Sequence, residues 1–502
     1  MSCPRTTRTR RLATLLGMVF PFVVLACTAP DDDGGNERPQ RTWAVCGNTE
    51  PGPSTPPPGA VTVDPAKDSD LIDKTQKHPP GTTFWLAPGT HTLGTDRFGQ
   101  VQPKDGDRYI GAPGAVLDGR ERNQYAFVYR ATDVTVAHLT VRGFVPPLNE
   151  GVVNHDSGDD WVIKHNTIEH NTGAGMMAGD RQQVVGNCLR DNGQYAINAA
   201  GDTVTDVVVA GNEITGNNTD DVERDIPGCG CSGAMKFWAV DGADVRHNWI
   251  HHNRGSGIWA DTNNNDFLIE HNLIEDNDGS AIFYETSYNA TIRYNTIRRN
   301  NWVAGREFLD RGDNFPVATV YLSEAGGEPR VPARTDEIEF YRNTLIDNWS
   351  GITLWENADR FCNSPANTST GYCTLLVPKA ETCAQPGIER KPLFSDCRWK
   401  TQRVDIHHNR FVIDPNTVQC MALCARMAVI SNYGTVPEWS PYQGEVVQQS
   451  ITFDQRNTWH DNTYVGPWTF MPHNTGRIVD ETGWRSRPYL QDRGSTFQQA
   501  TP

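Results

Sequence analysis

The chain has 502 residues and a formal net charge of −16, from 61 acidic and 45 basic side chains. A protein this acidic repels polyanions, which excludes nucleic acid as a natural partner. Beyond the first 26 residues no stretch is apolar and long enough to span a membrane as a helix.

Arg5, Arg8, Arg10 and Arg11 precede an apolar run from Leu12 to Ala26, the pattern of a removable export signal over residues 1–26. Its loss takes away four arginines and no acids, moving the net charge from −16 to −20. Val24-Leu-Ala-Cys27 resembles a bacterial lipobox, which implies a diacylglyceryl group on Cys27 and a membrane partner through that anchor. The expected location is the outer face of the cell membrane, with simple secretion as the alternative. Residues 27–59 are rich in Pro, Asp and Gly and read as a flexible tether.

Residues 60–470 carry one pattern many times. Asn248-Trp-Ile-His-His-Asn253 returns as Asn272-Leu-Ile-Glu-Asp-Asn277 and as Asn295-Thr-Ile-Arg-Arg-Asn300, at spacings of 24 and 23 residues. Each copy leads through small residues into a short strand with apolar residues at alternate positions. Strands recurring at this period without helices between them predict an all-β solenoid, the right-handed parallel β-helix. Earlier strands are expected at 81–91, 109–118 and 134–141, and residues 471–502 form an irregular tail that caps the open end. In-register coils set equivalent side chains about 4.8 Å apart. Asn166, Asn187, Asn212, Asn248, Asn272, Asn295, Asn343, Asn409 and Asn457 are therefore expected to form one ladder of stacked carboxamides.

Between repeats the spacing opens, because loops are inserted. Two inserts, 218–231 and 301–316, follow the N-x-I-x-x-N segment, and two others, 325–336 and 357–403, follow the next strand. Stacked in space they wall a groove whose floor is the set of strands 235–238, 258–261, 282–285, 320–323 and 352–355. Aligning Met235, Ile258, Ile282, Val320 and Ile352 inward predicts two outward columns. One reads Lys236, Trp259, Phe283, Tyr321, Thr353; the other reads Trp238, Asp261, Glu285, Ser323, Trp355, with Glu324 and Glu356 one residue further on.

Aromatic faces among carboxylates suit a polysaccharide or oligosaccharide partner. Lys236, Trp238, Trp259, Tyr321, Trp355 and Glu356 are the candidate binding residues. Asp261 and Glu285, on adjacent coils, are the candidate catalytic pair, with Glu324 as a third carboxylate. Like charges so close push one pKa up, which separates a proton donor from a base or nucleophile. Retaining glycosidases hold such carboxyls about 5–5.5 Å apart and inverting ones about 6.5–9.5 Å. The aromatics Phe283 and Tyr284 before Glu285 make it the expected donor. The reaction requires no cofactor, and no residues are assigned to a metal. Asp261-Thr-Asn-Asn-Asn-Asp266 has the alternating oxygens of a Ca²⁺ loop, but Asn272 stands where an EF-hand needs Glu, so Asx turns are the better reading.

Ten cysteines remain beyond Cys3 and Cys27, an even number that fits disulfides in an exported chain. Cys362, Cys373, Cys383 and Cys397 share one insertion that two bridges would close, and Cys420 with Cys424 forms a local pair. Cys46, Cys188, Cys229 and Cys231 leave their pairing open. A monomer is expected.

Over residues 80–470 the repeats resemble the pectate-lyase-like superfamily of β-helix proteins. The segments G-C-G-C-S-G-A-M-K-F-W, W-A-D-T-N-N-N-D-F-L-I-E and Y-E-T-S-Y-N resemble exported actinobacterial β-helix repeat proteins. The superfamily spans lyases, hydrolases, epimerases and non-catalytic proteins, so the fold does not choose among them. The G-H-G and R-I-K motifs of polygalacturonase-type hydrolases are missing, and Asn218-Thr-Asp220 lies in an insert. Three readings remain: a glycoside hydrolase acting through the carboxylates, a lyase or epimerase on a uronic polymer with Lys236, or a wall arginine such as Arg306 or Arg311, as base and a cation neutralising the substrate carboxylate, and a glycan-binding surface lipoprotein without catalysis.

Overall fold

A computed structural model describes residues 43–200, 204–226, 233–367, 373–420 and 423–499. Among them, every strand pair of the three long sheets is parallel, and from Thr135 to His473 each coil gives one strand to each sheet. Two sheets have thirteen strands, running from Val61–Val63 to Thr458–His460 and from Gly89–Thr92 to Thr496–Gln498. The third has ten, from Gly151–Val153 to Thr469–His473. The chain is a right-handed parallel β-helix, the hand that parallel crossovers take.

The short repeat explains each coil. In Asn272-Leu-Ile-Glu-Asp-Asn277 the central Ile274 points inward, stacked between Ile250 and Ile297, all three fully buried. Facing it are Ile258, Ile282, Val320 and Ile352 of the third sheet and Val245, Ile269 and Ile292 of the first. Burying such aliphatic columns contributes about 1.5–3 kcal/mol per side chain.

Coils turn where a residue in the left-handed region precedes an asparagine: His247, His271, Tyr294, Arg342 and His408 have φ from 54° to 60°. The asparagine side chains then bond from coil to coil. Asn272 Nδ2 donates to Val245 O (2.9 Å) and to Asn295 Oδ1 (3.0 Å), while its own Oδ1 accepts from the N and Nδ2 of Asn248. The ladder runs from Asn166 through Asn409 as expected but ends on Asn462, not Asn457. Asn457 instead accepts from Val404 N and donates to Thr401 O and Ile451 O. Pairing of Arg410 with Thr463 decides this, because it sets Asn409 beside Asn462. The second asparagine of the motif builds a second ladder, Asn171, Asn192, Asn217, Asn253, Asn277, Asn300 and Asn348, which the sequence reading did not separate from the first.

Both ends are closed. The helix Asp70–Lys77 buries Leu71 and Thr75 against the first coils. At the other end Trp484 is buried, stacked on Phe470 at 4.9 Å, and the strand Thr496–Gln498 extends the second sheet. The tether reading fails for its last part, since residues 43–59 lie along the helix wall. Val45 N and Cys46 N donate to Glu213 Oε2 at 2.6 and 2.7 Å, Trp85 Nε1 donates to Pro53 O, and Cys46 is disulfide-bonded to Cys188. The export signal and Cys27 lie outside the described residues. No described helix is long and apolar enough to cross a membrane.

Candidate functional site

The third sheet is the floor that the sequence predicts. Met235, Ile258, Ile282, Val320 and Ile352 are in register, and so are Lys236, Trp259, Phe283, Tyr321 and Thr353. Glu285, Ser323 and Trp355 continue the second outward column. On this floor Lys236 Nζ pairs with Asp261 Oδ2 at 3.0 Å and stands 4.4 Å from the Trp259 ring centroid and 5.8 Å from that of Trp238. Trp259 Nε1 donates to Glu285 Oε2 (3.2 Å). Arg360 Nη1 donates to Glu285 Oε1 and lies 4.0 Å from Glu324 Oε2. Glu324 also accepts from Ser323 Oγ and from Asn357 N (2.8 Å).

Three carboxylates thus meet two cations in a largely water-excluded cluster; the Glu324 side chain is 1% exposed and that of Glu285 11%. Burial, against the opposing charge of Arg360, pushes the Glu324 carboxyl up to about 7. Burial also raises Glu285, opposed by Arg360 and assisted by the charge of Asp261. Arg360 stays cationic, because Glu285 and Glu324 more than offset the cost of its burial. Charge counting agrees: with Lys236 on Asp261 and Arg360 on Glu285, Glu324 is the carboxyl left to carry a proton.

Arg360 was not foreseen. It sits 75 residues from Glu285 inside an insertion, and only docking of that loop onto the floor brings the two together. The loop is fixed by the bridges Cys362–Cys373 and Cys383–Cys397, two within the insertion with a pairing that the spacing leaves open, and by Arg330 paired with Asp396 at 2.9 Å. Cys420 and Cys424 are also bonded; Cys229 and Cys231 lie outside the described residues. These bridges fit an oxidising, extracellular setting. A further insertion, residues 432–456, reinforces the same wall through Tyr442 against Phe361 (5.0 Å) and Thr435 on Asp359. On the opposite side the helix Trp302–Asp310 belongs to the expected wall 301–316.

Several predicted contacts take other roles. Glu356 faces away from the groove into a buried network, accepting from Arg398 Nη1 (2.5 Å), Thr401 N (2.7 Å) and Gln455, so it is a structural ion pair. Trp259 is 8% exposed and stacked on Phe283 at 5.2 Å; it orients Glu285 instead of offering a free face. Tyr321 is half-buried between Phe283 (4.9 Å) and Phe315. Arg306 and Arg311 are exposed, over Trp302 and Phe308. Trp355 and Phe315 open onto a cavity of about 610 Å³ at one end of the floor.

The Asn-rich loop uses its side chains on the protein. Asn263 donates to Cys373 O and accepts from Trp399, Asn264 donates to Phe237 O and Asp261 O, and Asp266 pairs with Arg334. Of the described residues, His408, His460 and Asp461 bring nitrogen and oxygen atoms within 4.8 Å of one another. His460 is already held at both ring nitrogens by Asp461 (2.8 Å) and Asp405 (3.1 Å), a setting that favours imidazolium over a metal ligand.

Fold and floor together define a β-helix protein with a walled, carboxylate-bearing groove. Residues 150–319 match the family described as the right handed beta helix region. No curated protein matches the chain. Among solved structures it is similar to the A-module of the Azotobacter vinelandii mannuronan C-5 epimerase AlgE4, at 13% identity and TM-score 0.40, covering 71% of this chain and 92% of that one. The Agl-KA catalytic domain is similar at 12% identity and TM-score 0.46, covering 90% and 70%. A PL6 alginate lyase in complex with a trisaccharide is similar at 11% identity and TM-score 0.40, covering 89% and 87%. These are likenesses of fold, and function has to be argued from the site.

Proposed function

We propose that the chain is an exported carbohydrate-active protein that hydrolyses glycosidic bonds on the floor of this groove. The observation that supports it is the cluster of Asp261, Glu285 and Glu324 around Lys236 and Arg360, with one carboxyl raised to about 7 beside ion-paired neighbours. Hydrolysis needs that division between a proton donor and a carboxylate. In this reading Glu324 donates the proton to the leaving oxygen, in place of Glu285 as the sequence alone suggests. Glu285 then acts as base or nucleophile, and Lys236 holds Asp261. The sugar displaces the Arg360 guanidinium from between the two glutamates, and the wall segment that carries Arg360 yields to admit it. Arg360 also favours a second reading: a guanidinium freed from Glu285 would neutralise a uronate carboxylate, as a lyase or epimerase requires.

The test is purified mature protein against a panel of neutral and uronic polysaccharides, read by new reducing ends and by ultraviolet absorption of unsaturated products. Hydrolysis predicts reducing ends alone, lost in Glu324→Gln and Glu285→Gln while circular dichroism shows the fold kept. Unsaturated product would replace it with the lyase reading. Undiminished turnover in both variants would place the chemistry elsewhere.

A further inference from the structure

We propose that the cavity at the C-terminal end of the floor is a subsite for an uncharged sugar ring, part of a saccharide chain that extends along the groove to the carboxylates. The inference rests on the carbohydrate reading of the groove but not on its catalysis. Position comes first. Trp355 lies in the column that contains Glu285, two coils further on. Two coil spacings are about 10 Å, a span that consecutive sugar units of one chain bridge. The cavity, about 610 Å³, is of the size that takes small ligands.

Its surfaces have the chemistry of a pyranose site. Trp355 and Phe315 meet edge to face at 5.5 Å and 83°, so their rings form an apolar corner against which the C–H face of a sugar packs. The Trp355 indole lies at the cavity surface, where a polar N–H beside an apolar ring face suits a sugar hydroxyl. Gln448 supplies an independent sign of a ligand. It is 1% exposed and lines the cavity, and its Nε2 donates to Ser431 O at 2.7 Å. Its Oε1 is buried with no donor. An orphaned buried acceptor is costly, and a hydroxyl group of a bound sugar would satisfy it.

Charge selects the class of sugar. Asp313 is the only ionisable acid, and no Lys, Arg or His stands among the described lining residues. On the lining itself a uronate would meet a like charge and no cation, whereas a neutral ring meets donors and acceptors only. The cations beside it, Arg311 over Phe308 and Arg426 on Asn314, are already engaged by those residues. The site is also preformed. Asn314 Nδ2 donates to Thr475 O (2.7 Å), joining the wall loop to the C-terminal tail, and Arg426 Nη1 donates to Asn314 Oδ1 (2.6 Å).

The experiment is a calorimetric titration of full-length mature protein carrying Glu324→Gln, a change that the hydrolase reading expects to stop turnover. The probes are cellohexaose, xylohexaose, mannohexaose and laminarihexaose, with hexagalacturonate as the charged comparison. The expected result is binding of at least one neutral hexamer, weakened at least tenfold by Trp355→Ala and severalfold by Gln448→Leu, with hexagalacturonate binding more weakly. Near-ultraviolet circular dichroism and melting of both variants check that the fold is kept; Trp355→Phe, which retains a ring, should recover most of the affinity if Trp355→Ala unfolds. Failure of every neutral hexamer to bind, equal affinity in both variants, or tighter binding of hexagalacturonate overturns the proposal. The two readings fail separately. A protein that binds through Trp355 yet cleaves nothing sinks the hydrolase and leaves the subsite, whereas cleavage with an unchanged KM in Trp355→Ala does the reverse.

Discussion

Asn272 uses its whole hydrogen-bonding capacity: two donors, and one oxygen that accepts twice. Replacing it with alanine strands groups on the coils to either side, each at about 1–3 kcal/mol. Asn272→Ala should therefore melt well below wild type, and an unchanged melting curve would contradict the ladder. Glu324 makes an opposite kind of contribution. Its folded pKa of about 7 lies above that of an unfolded glutamate, so the native state binds more protons than the unfolded state across that interval. Stability from this group is present below the unfolded value and is lost as pH rises through about 7, by on the order of 3 kcal/mol. Glu324→Gln should flatten the decline of melting temperature between pH 5 and 8. In the hydrolase reading, wild-type turnover should fall over the same upper range as the donor loses its proton.

At the scale of elements, the groove depends on how its walls dock. The helix Trp302–Asp310 is anchored by Trp302 Nε1 donating to Asp347 O (2.8 Å) and by Gly305 lying against the indole of Trp349. A Cβ on Gly305 would stand 2.1 Å from that ring, and Trp349 is fully enclosed with little room to yield. Gly305→Ala would gain helix propensity in isolation, yet overpacking here should cost about 1–3 kcal/mol. Because Phe308 on the same helix lines the Trp355 cavity, saccharide binding should weaken too. A variant as stable as wild type would show that the helix is not seated on Trp349.

For the molecule as a whole, the solenoid holds by nearest-neighbour stacking, so its ends and covalent ties carry unusual weight. The Cys46–Cys188 bridge spans 142 residues and fastens the N-terminal arm to a coil far along the chain. Removing it with Cys46→Ser and Cys188→Ser should lower stability by about 2–4 kcal/mol. The same change should make the start of this arm more open to protease, because Val45 and Cys46 would then be held through their hydrogen bonds to Glu213. Resistance to cleavage in the double variant would mean that the arm's hydrogen bonds suffice.

The sequence by itself determined the coil. The repeat of Asn, central Ile and short alternating strand is local information, and its physical consequence, stacking at about 4.8 Å, follows wherever like coils adjoin. That is why the register of Met235, Ile258, Ile282, Val320 and Ile352, the bridges within the 357–403 insertion and the floor between loop walls could all be read beforehand. Tertiary structure alone decided what depends on contacts between distant segments. Asn457 and Asn462 both fit the motif, and only pairing with the previous coil after a long insertion selects Asn462. Trp259 looks outward by alternation, but Phe283, Lys236 and Glu285 enclose it. Glu356, one residue past the outward Trp355, reads in sequence as part of the floor, yet it pairs with Arg398 away from it. Arg360 reaches Glu285 because its loop folds back across the floor, a path that no periodicity encodes. Repetition constrains each coil through its neighbours, whereas an insertion is constrained only by where its own side chains find partners, and those partners exist only once the solenoid has formed.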